Sequence, residues 1–373
     1  MNEFIANKKK VLFVGSFKET SKSGGVGGQM FACKTIINSE LSSFINWTLI
    51  DTTADSNILA SKIKRLRKAM LRLFKFIYYM IFFKHDYILI FVADGLSFWE
   101  KGLMGLIGKV FTRSKIIIAP RSGLITNDIN NKGSLKTFIE YVFKKVDIVI
   151  CQSKSWQVIF EKLAGENKSK FIIIENLIDY DKYKSIQVRD LRKNEKVVVL
   201  FMAWVTRNKG IFELVEAVKM LKNDNCNFKL IIAGLGEDYE VIVDEVEKQG
   251  LSDFVDFRGW VLGDKKLKIL EESDIFVLPT YFDGYPNSLM EAMASGKACI
   301  GTKVGSIPDI INDCKNGILI EKQNVKELYH SLKYLIHNDE IRLKMGSIAR
   351  DNIREINSIP VGILKYKKIF SIQ

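Results

Sequence analysis

The segment from residue 274 to residue 309 constrains the fold of this chain more than any other part of it. Its two apolar runs, 275–278 and 298–300, are too short for helices and are typical of buried strands. Between them, a loop leads into a helical segment that begins near Asn287 and ends before Gly296, a residue type that often follows the last helical residue. The segment therefore predicts a strand–loop–helix–strand unit, as in sheets that are covered by helices.

The loop of this unit is a candidate anion-binding site. The N–H groups in the first turn of a helix have no partner within the helix, so they favour an anion such as a diphosphate. Gly284 allows a ligand to approach the backbone closely. Asp283 precedes the helix and Glu291 lies just over one turn inside it, so the two carboxylates can reach different parts of one ligand. A helix start with two surface acids is the alternative.

Residues 283–296, DGYPNSLMEAMASG, resemble the acidic-x7-acidic signature of the retaining glycosyltransferases of family 4, which have the GT-B fold. Asp283 stands where glutamate is commoner, so its reach is shorter by one methylene. The resemblance implies that Asp283 contacts hydroxyls of the donor sugar and that Glu291 holds the nucleotide ribose. It also implies donor binding by the loop and the helix start: Gly284, Tyr285, Pro286, Asn287, Ser288 and Leu289.

A cationic segment follows the strand predicted over 197–202. Lys209 matches the lysine of a basic pair in the family, which implies that it neutralises the departing diphosphate. The usual arginine position holds Trp204, and Arg207 is the candidate substitute. The resemblance adds three donor-site residues on later loops: Gly234, Gly259 and Trp260.

A glycine-rich segment, residues 21–30, follows the strand predicted over 11–14. It matches neither the GxGxxG motif of dinucleotide-binding domains nor the P-loop. The resemblance implies that Gly27 and Gly28 lie between two domains, near the donor phosphate and the acceptor. A flexible turn is the alternative.

Two other segments of the N-terminal half carry candidate residues. Arg121 and Ser122 follow the strand predicted over 116–119 and resemble a segment of family members that build bacterial surface polysaccharides, which implies contact with an acceptor phosphate or sugar. A loop-fixing salt bridge is the alternative for Arg121. Asp179 and Asp181 form the Asp-x-Asp metal motif of a different glycosyltransferase fold, but they lie at a strand exit that leads to a linker. No His/Cys cluster has metal spacing, and we expect neither a metal nor another cofactor.

Residues 56–85 contain eight Lys or Arg and no acid, and they predict an amphipathic helix. One face is basic: Lys64, Arg65, Lys68, Arg72 and Lys75. The opposite face is apolar: Leu59, Ile63, Leu66, Met70, Leu73, Phe74, Ile77 and Ile81. Packing of the apolar face on a sheet is one interpretation, and a helix that lies on an anionic bilayer is the other.

The length of 373 residues predicts two domains, and the net charge of +13 favours anionic partners. Five cysteines without a CxxC pair favour a reducing compartment, and no apolar run reaches the length of a signal-peptide core or a membrane span. Alternating strands and helices predict an α/β protein of two doubly wound, Rossmann-like domains that face a cleft, as in GT-B. The predicted ranges are 1–183 for the acceptor domain, 184–196 for a linker, 197–355 for the nucleotide-sugar domain and 356–373 for a helix that returns to the first domain.

We therefore expect a retaining transferase that moves a sugar from a nucleotide-diphosphate sugar to a saccharide or polyprenyl-linked saccharide in bacterial surface polysaccharide synthesis, such as O-antigen, capsule or exopolysaccharide. A cytoplasmic protein at the inner face of the membrane, with an anionic membrane surface as a further partner and no nucleic acid, fits this expectation. The alternatives are a catalytically silent nucleotide-sugar-binding partner and a GT-B epimerase or hydrolase.

Overall fold

The computed structural model describes residues 8–18, 28–53, 62–131, 133–165, 168–189 and 195–372. The predicted donor residue Gly27 lies outside these ranges. Contacts divide the chain into two compact units. Unit 1 comprises Met1–Leu177 and Ile359–Gln373, and unit 2 comprises Ile178–Ser358.

Unit 1 contains a six-stranded parallel sheet with the strand order β2-β1-β3-β4-β5-β6. Its strands are β1 (Lys9–Gly15), β2 (Ile45–Asp51), β3 (Tyr87–Val92), β4 (Lys115–Pro120), β5 (Ile148–Cys151) and β6 (Phe171–Ile173). Its first helices are α1 (Gly28–Ile37), α2 (Leu41–Phe44), α3 (Lys62–Phe82), α4 (Gly95–Phe111), α5 (Ile125–Asn130), α6 (Ser134–Lys145) and α7 (Lys154–Ala164). The central strand β3 is buried along its whole length, as expected for a strand that is covered by helices on both faces.

Unit 2 contains a second six-stranded parallel sheet with the order β12-β11-β10-β7-β8-β9. Its strands are β7 (Val197–Met202), β8 (Phe228–Ala233), β9 (Val255–Phe257), β10 (Ile275–Leu278), β11 (Ala298–Thr302) and β12 (Ile318–Ile320). Its helices are α8 (Ile211–Asn223), α9 (Tyr239–Lys248), α10 (Gly263–Glu272), α11 (Asn287–Ala294), α12 (Ile307–Ile310), α13 (Val325–His337) and α14 (Asp339–Asn357). The last helix of the chain, α15 (Ile359–Ile369), belongs to unit 1.

The division between the units differs from the predicted ranges of 1–183 and 197–355 for the two domains. Tyr183 and Ile186 are buried in a hydrophobic cluster of unit 2, and Arg189 forms an ion pair of 2.9 Å with Asp274 at the start of β10. The described part of the predicted linker is therefore attached to the second core. At the other end, the helix that the sequence predicted over 356–373 is α15, which begins at Ile359 and belongs to unit 1.

Helix α3 packs only part of its predicted apolar face against the rest of unit 1. Phe76 is fully buried and Leu73 is half-buried, but Ile63, Leu66 and Phe74 are exposed. Arg72, predicted on the solvated basic face, instead forms a bidentate pair with Glu100 of α4 at 2.6 and 2.7 Å. The helix is therefore rotated relative to the prediction, and much of its apolar surface faces outward.

None of the helices in the described ranges is both long and apolar enough to cross a membrane. Four cysteines are buried and Cys314 is exposed, and all five are free thiols. Burial raises the pKa of Cys33 to about 12, so this thiol stays protonated.

Candidate active site

The candidate site lies where the strand order of unit 2 reverses. Strands β7 and β10 are neighbours, with Val199 opposite Ile275 and Leu200 opposite Phe276, although β8 and β9 separate them in the chain. The loops that leave their carboxyl ends therefore diverge from one point. Open α/β sheets bind ligands at such a reversal.

These two loops bring Lys209 and Asp283 into direct contact. The Lys209 ammonium donates to Asp283 Oδ2 at 2.6 Å, and both side chains are about four-fifths buried, with relative exposures of 22% and 19%. Next to Lys209, the carbonyl of Asn208 accepts from the Tyr281 N–H at 2.8 Å and from Thr280 Oγ1 at 3.1 Å. The contact between the loops therefore involves the backbone as well as the ion pair.

Glycine at two positions permits this approach. Gly210 has a φ of +73°, and a Cβ there would lie 2.0 Å from the Pro279 carbonyl oxygen. Gly305, after β11, has a φ of +56°, and a Cβ there would lie 1.7 Å from the Asp283 carbonyl oxygen. The Ser306 N–H also donates to the Gly284 carbonyl at 3.2 Å, so the turn after β11 contacts and supports the Asp283 loop.

Glu291, the second predicted carboxylate, is buried on α11 between two partners. Lys266 of α10 donates to Glu291 Oε1 at 2.6 Å. The buried hydroxyl of Tyr183 also forms a hydrogen bond with Glu291. Burial, together with the charge of Glu291 and this hydrogen bond, raises the pKa of Tyr183. Glu291 is thus held in one orientation by a cation and a neutral donor.

The other predicted donor residues around the start of α11 have mostly buried side chains. Tyr285 and Leu289 belong to the hydrophobic core of unit 2, and the Tyr285 hydroxyl accepts from Asn357 Nδ2 at 2.8 Å. Gly284 and Pro286 are buried, whereas Asn287 and Ser288 are half-buried. Backbone groups of this loop and the first helical turn are therefore better placed for ligand contact than the side chains of Tyr285 and Leu289.

Two tryptophans lie together on the loops that follow β7 and β9. The ring centroids of Trp204 and Trp260 are 4.7 Å apart. Gly259 precedes Trp260 with a φ of +61°. Within the described ranges, the buried Trp260 Nε1 has no hydrogen-bond partner. This aromatic pair therefore joins Trp260, a predicted donor-site residue, to Trp204, which stands at the position of the usual arginine.

Arg207, the predicted substitute for the usual arginine, stacks on an aromatic ring. Its guanidinium carbon lies 4.0 Å from the Phe212 ring centroid, and its backbone N–H donates to Asp238 Oδ2 at 2.6 Å. Gly234, after β8, lies against the β7 loop, because a Cβ there would be 1.9 Å from the Ala203 carbonyl oxygen.

In unit 1, Arg121 is tied down by neutral partners. It donates to Asn176 Oδ1 at 2.9 Å and to the Tyr366 hydroxyl at 3.0 Å, and its guanidinium lies 4.1 Å from the Phe91 ring centroid. Arg121 therefore fixes its loop through these neutral partners, whereas the alternative interpretation expected a salt bridge. Ser122 Oγ accepts from the Leu124 N–H at 3.3 Å, and Gly28 is the first residue of α1.

The Asp-x-Asp sequence has local partners. Asp179 pairs with Lys182 at 3.0 Å, and Asp181 pairs with Lys184 at 2.6 Å. Within the described ranges, no group of three His, Cys, Asp or Glu residues is arranged to hold a metal ion.

Sequence reasoning missed three residues that shape the site. Tyr183 and Lys266 contact Glu291, and Gly305 supports the Asp283 loop. Gly305 carried a signal, because it begins a Gly-Ser-Ile-Pro-Asp turn that is similar to a turn of the family. Lys266 is one of several charged residues on a polar helix, and nothing in the sequence distinguishes it from Lys265 or Lys268.

Several known proteins and one family model are similar to this chain. The family model described as glycosyl transferases group 1 matches residues 183–352. An uncharacterized glycosyltransferase of Methanocaldococcus jannaschii is 28% identical over 294 residues, which are 75% of this chain and 74% of that protein.

Two further proteins are similar. The N,N'-diacetylbacillosaminyl-diphospho-undecaprenol alpha-1,3-N-acetylgalactosaminyltransferase of Campylobacter jejuni is 29% identical over 188 residues, 50% of this chain and 47% of that enzyme. The crystal structure of HepE of Anabaena in complex with UDP has a TM-score of 0.73 at 17% identity and covers 97% of this chain and 99% of its own. The doubly wound α/β fold and the resemblance seen in residues 283–296 are both confirmed: the chain has the GT-B fold, and its residues 183–352, most of unit 2, match the group 1 glycosyltransferases.

Proposed function

We propose that this glycosyltransferase moves a sugar, with retention of its anomeric configuration, from a nucleoside-diphosphate sugar to a lipid-linked saccharide during surface polysaccharide synthesis. The observation that carries the proposal is the contact of Lys209 with Asp283 where β7 and β10 end. The bond that breaks joins the sugar to the diphosphate. At this reversal the cation can bind the diphosphate and the carboxylate can bind the sugar.

The residues have distinct roles in this reaction. Lys209 binds the diphosphate and stabilises the negative charge that grows as it leaves. Asp283 accepts hydrogen bonds from hydroxyls of the donor sugar, and Glu291 holds the ribose. N–H groups at the start of α11 add favourable dipoles for the diphosphate.

The chemical step is a substitution on one face of the sugar ring. The bond between the anomeric carbon and the diphosphate oxygen breaks, and a bond to the acceptor oxygen forms on the same face. The acceptor's hydroxyl proton passes to the departing diphosphate. The protein side chains bind and orient these groups, and no covalent intermediate on the protein is needed.

Two of the similar proteins guide the choice of substrates. HepE was crystallised with UDP, which makes a uridine donor the first choice. The Campylobacter enzyme is named for an acceptor on undecaprenyl diphosphate, which favours a lipid-linked acceptor here. The aromatic pair of Trp204 and Trp260 supports a planar base nearby.

Calorimetric titration of UDP and GDP into the wild type and Lys209→Ala tests the donor site. We expect one nucleotide to bind, binding to weaken in Lys209→Ala, and transfer to fall by about 100- to 1,000-fold, as when an oxyanion donor is removed. Lys219→Ala is a matched control, because Lys219 lies on α8 in a surface pair with Glu216 at 3.8 Å. Full transfer by Lys209→Ala would refute the proposed site.

The proposed retention of the anomeric configuration is tested on the reaction product. The anomeric coupling constant of the new linkage, measured by NMR, should match that of the donor sugar. Inversion would show that the reaction does not take place on one face. Nucleotide binding without transfer to any saccharide would instead support a catalytically silent partner, an interpretation that Trp204 in the place of the usual arginine suggested.

A further inference from the structure

Helix α3 carries an unbroken row of exposed apolar side chains on its outer side. We call this row the apolar stripe: Ile63, Leu66, Met70, Phe74, Tyr78 and Ile81. Successive members are three or four residues apart, so they share one face of the helix. Ile63 is 80% exposed and Ile81 is 69% exposed, at opposite ends of the helix.

A second apolar face of α3 already satisfies the core of unit 1. Phe76 is fully buried, and Leu73 and Met80 pack against the same cluster. The apolar stripe is therefore additional to the residues that fix α3 on the domain. A large apolar surface that the fold does not use indicates an interaction site.

The charges beside the stripe indicate what this site binds. Arg67, Lys68 and Lys75 are exposed on α3, and the sequence from residue 62 to residue 85 contains no Asp or Glu. Lys84 extends the positive charge beyond the end of the helix. An apolar face flanked by Lys and Arg fits a bilayer, where the apolar residues enter the acyl boundary and the cations meet anionic head groups.

Two other occupants fit less well. A second copy of this chain would bring two basic helices together, and each chain already has a net charge of +13. A nucleic acid would satisfy the cations but would leave the apolar stripe in water, because nucleic acids are bound mainly through their phosphates.

We propose that the outer face of α3 is a membrane-docking surface for bilayers that contain anionic lipids. The helix lies along the bilayer, with the apolar stripe inserted and the neighbouring cations at the head groups. This surface belongs to unit 1, whereas the Lys209–Asp283 contact belongs to unit 2. The proposal therefore does not depend on the identity of the donor.

Flotation with vesicles tests this surface. The wild type is compared on vesicles of phosphatidylcholine and on vesicles of phosphatidylcholine with phosphatidylglycerol. One variant replaces the stripe by Leu66→Gln, Phe74→Gln and Ile81→Gln, and a second replaces the cations by Arg67→Gln, Lys68→Gln and Lys75→Gln. The matched controls on unit 2 are Val241→Gln, Tyr334→Gln and Leu343→Gln for exposed apolar residues, and Lys322→Gln, Lys326→Gln and Lys344→Gln for exposed cations.

We expect the wild type and both controls to float with the anionic vesicles at low salt. Each α3 variant should partition at least about tenfold less, and the charge variant should lose the salt dependence. An unchanged melting temperature and unchanged nucleotide binding in the same variants show that the fold and the donor site are intact. If the proposed donor site is wrong, the calorimetric titration will contradict it, whereas the flotation result will not change.

Three outcomes would overturn the proposal. The wild type stays in solution with both vesicle types, or it binds both equally well, or the α3 variants float like the wild type. A dimer in sedimentation that the stripe variant dissociates, without any flotation of the wild type, would assign the stripe to a contact between copies of the chain.

Discussion

At the scale of single residues, the position of Asp283 depends on a glycine in another loop. The Asp283 carbonyl oxygen occupies the space that a Cβ of residue 305 would take, at 1.7 Å. Only glycine leaves this space free and also adopts the φ of +56° without strain. The carboxylate that faces Lys209 is therefore placed partly by the turn after β11.

Gly305→Ala should disturb the candidate site through the loop that carries Asp283. We expect the Asp283 loop to shift, transfer to fall at least about tenfold, and stability to fall by about 2 kcal/mol or more from backbone strain and displacement. Gly165→Ala is the matched control, because Gly165 has a φ of +64°, has open space where an added methyl would lie, and follows the end of α7. The control should lose about 1 kcal/mol in urea unfolding and keep full transfer. Equal losses of transfer in both variants would contradict this role of Gly305.

Helix α11 shows how a single element serves both the core and the candidate site. Its apolar residues Leu289, Met290 and Met293 are buried, while Glu291 on the same helix contacts Lys266 and Tyr183. A buried carboxylate needs such partners, because removal from water is costly for a charge. The two partners thus fix the orientation of Glu291, which we propose to hold the ribose.

Tyr183→Phe tests whether this orientation matters. The variant removes one hydrogen bond to Glu291, and we expect a loss of about 1 kcal/mol in stability together with a several-fold rise in the donor KM. The effect on kcat should be smaller, because Tyr183 acts through Glu291 and not on the reacting atoms. Tyr334→Phe, on the exposed side of α13, is the control and should change neither quantity. A donor KM that stays at the wild-type value would exclude a positioning role for Tyr183.

Sequence patterns predicted the elements of unit 2 closely. The predicted strands 197–202 and 275–278 match β7 and β10, and Gly296 follows α11 with a φ of +73°, as expected for a residue that ends a helix. These strands are buried on both faces, so their apolar runs are continuous and easy to recognise. Asp283, Glu291 and Lys209 were therefore assigned to the correct loops and helix.

Other elements could not be derived in this way. Strand β2 lies at the edge of its sheet and is only partly buried, so it lacks the continuous apolar run that would have predicted it. Helix α3 is apolar on two sides, and periodicity alone does not tell which side packs inward. Tyr183 and Lys266 became recognisable only when the fold brought them to Glu291.

At the scale of the whole molecule, each unit contains a buried lysine with a lowered pKa. Burial lowers the pKa of Lys101 on α4 to about 8, and it lowers that of Lys297, just before β11, to about 8 as well. Lys297 is only 1% exposed, and its ammonium has no hydrogen-bond partner in the described part of the chain. At neutral pH, each unit therefore contains a buried charge that lowers the free energy of unfolding.

The sign of the resulting pH dependence follows from linkage. In the unfolded chain the pKa of Lys297 is near its ordinary value of 10.5, and in the folded protein it is about 8. Between these values the unfolded state binds more protons than the folded state, so stability rises as the pH increases from about 8 to about 10.5. Each lysine contributes up to about 3 kcal/mol over this window, since one pKa unit corresponds to about 1.4 kcal/mol.

Lys297→Met should remove this contribution from unit 2. Urea unfolding at pH 7, 8, 9 and 10 is expected to show a variant that is more stable than the wild type at pH 7, by up to about 3 kcal/mol, because methionine fills the site without a buried charge. The difference should shrink toward zero as the pH approaches 10, where Lys297 is neutral in the folded protein. Lys344→Met, at an exposed position on α14, should follow the wild-type curve throughout. If Lys297→Met is less stable than the wild type at pH 7, the ammonium must be stabilised by its surroundings, and the lowered pKa would be wrong.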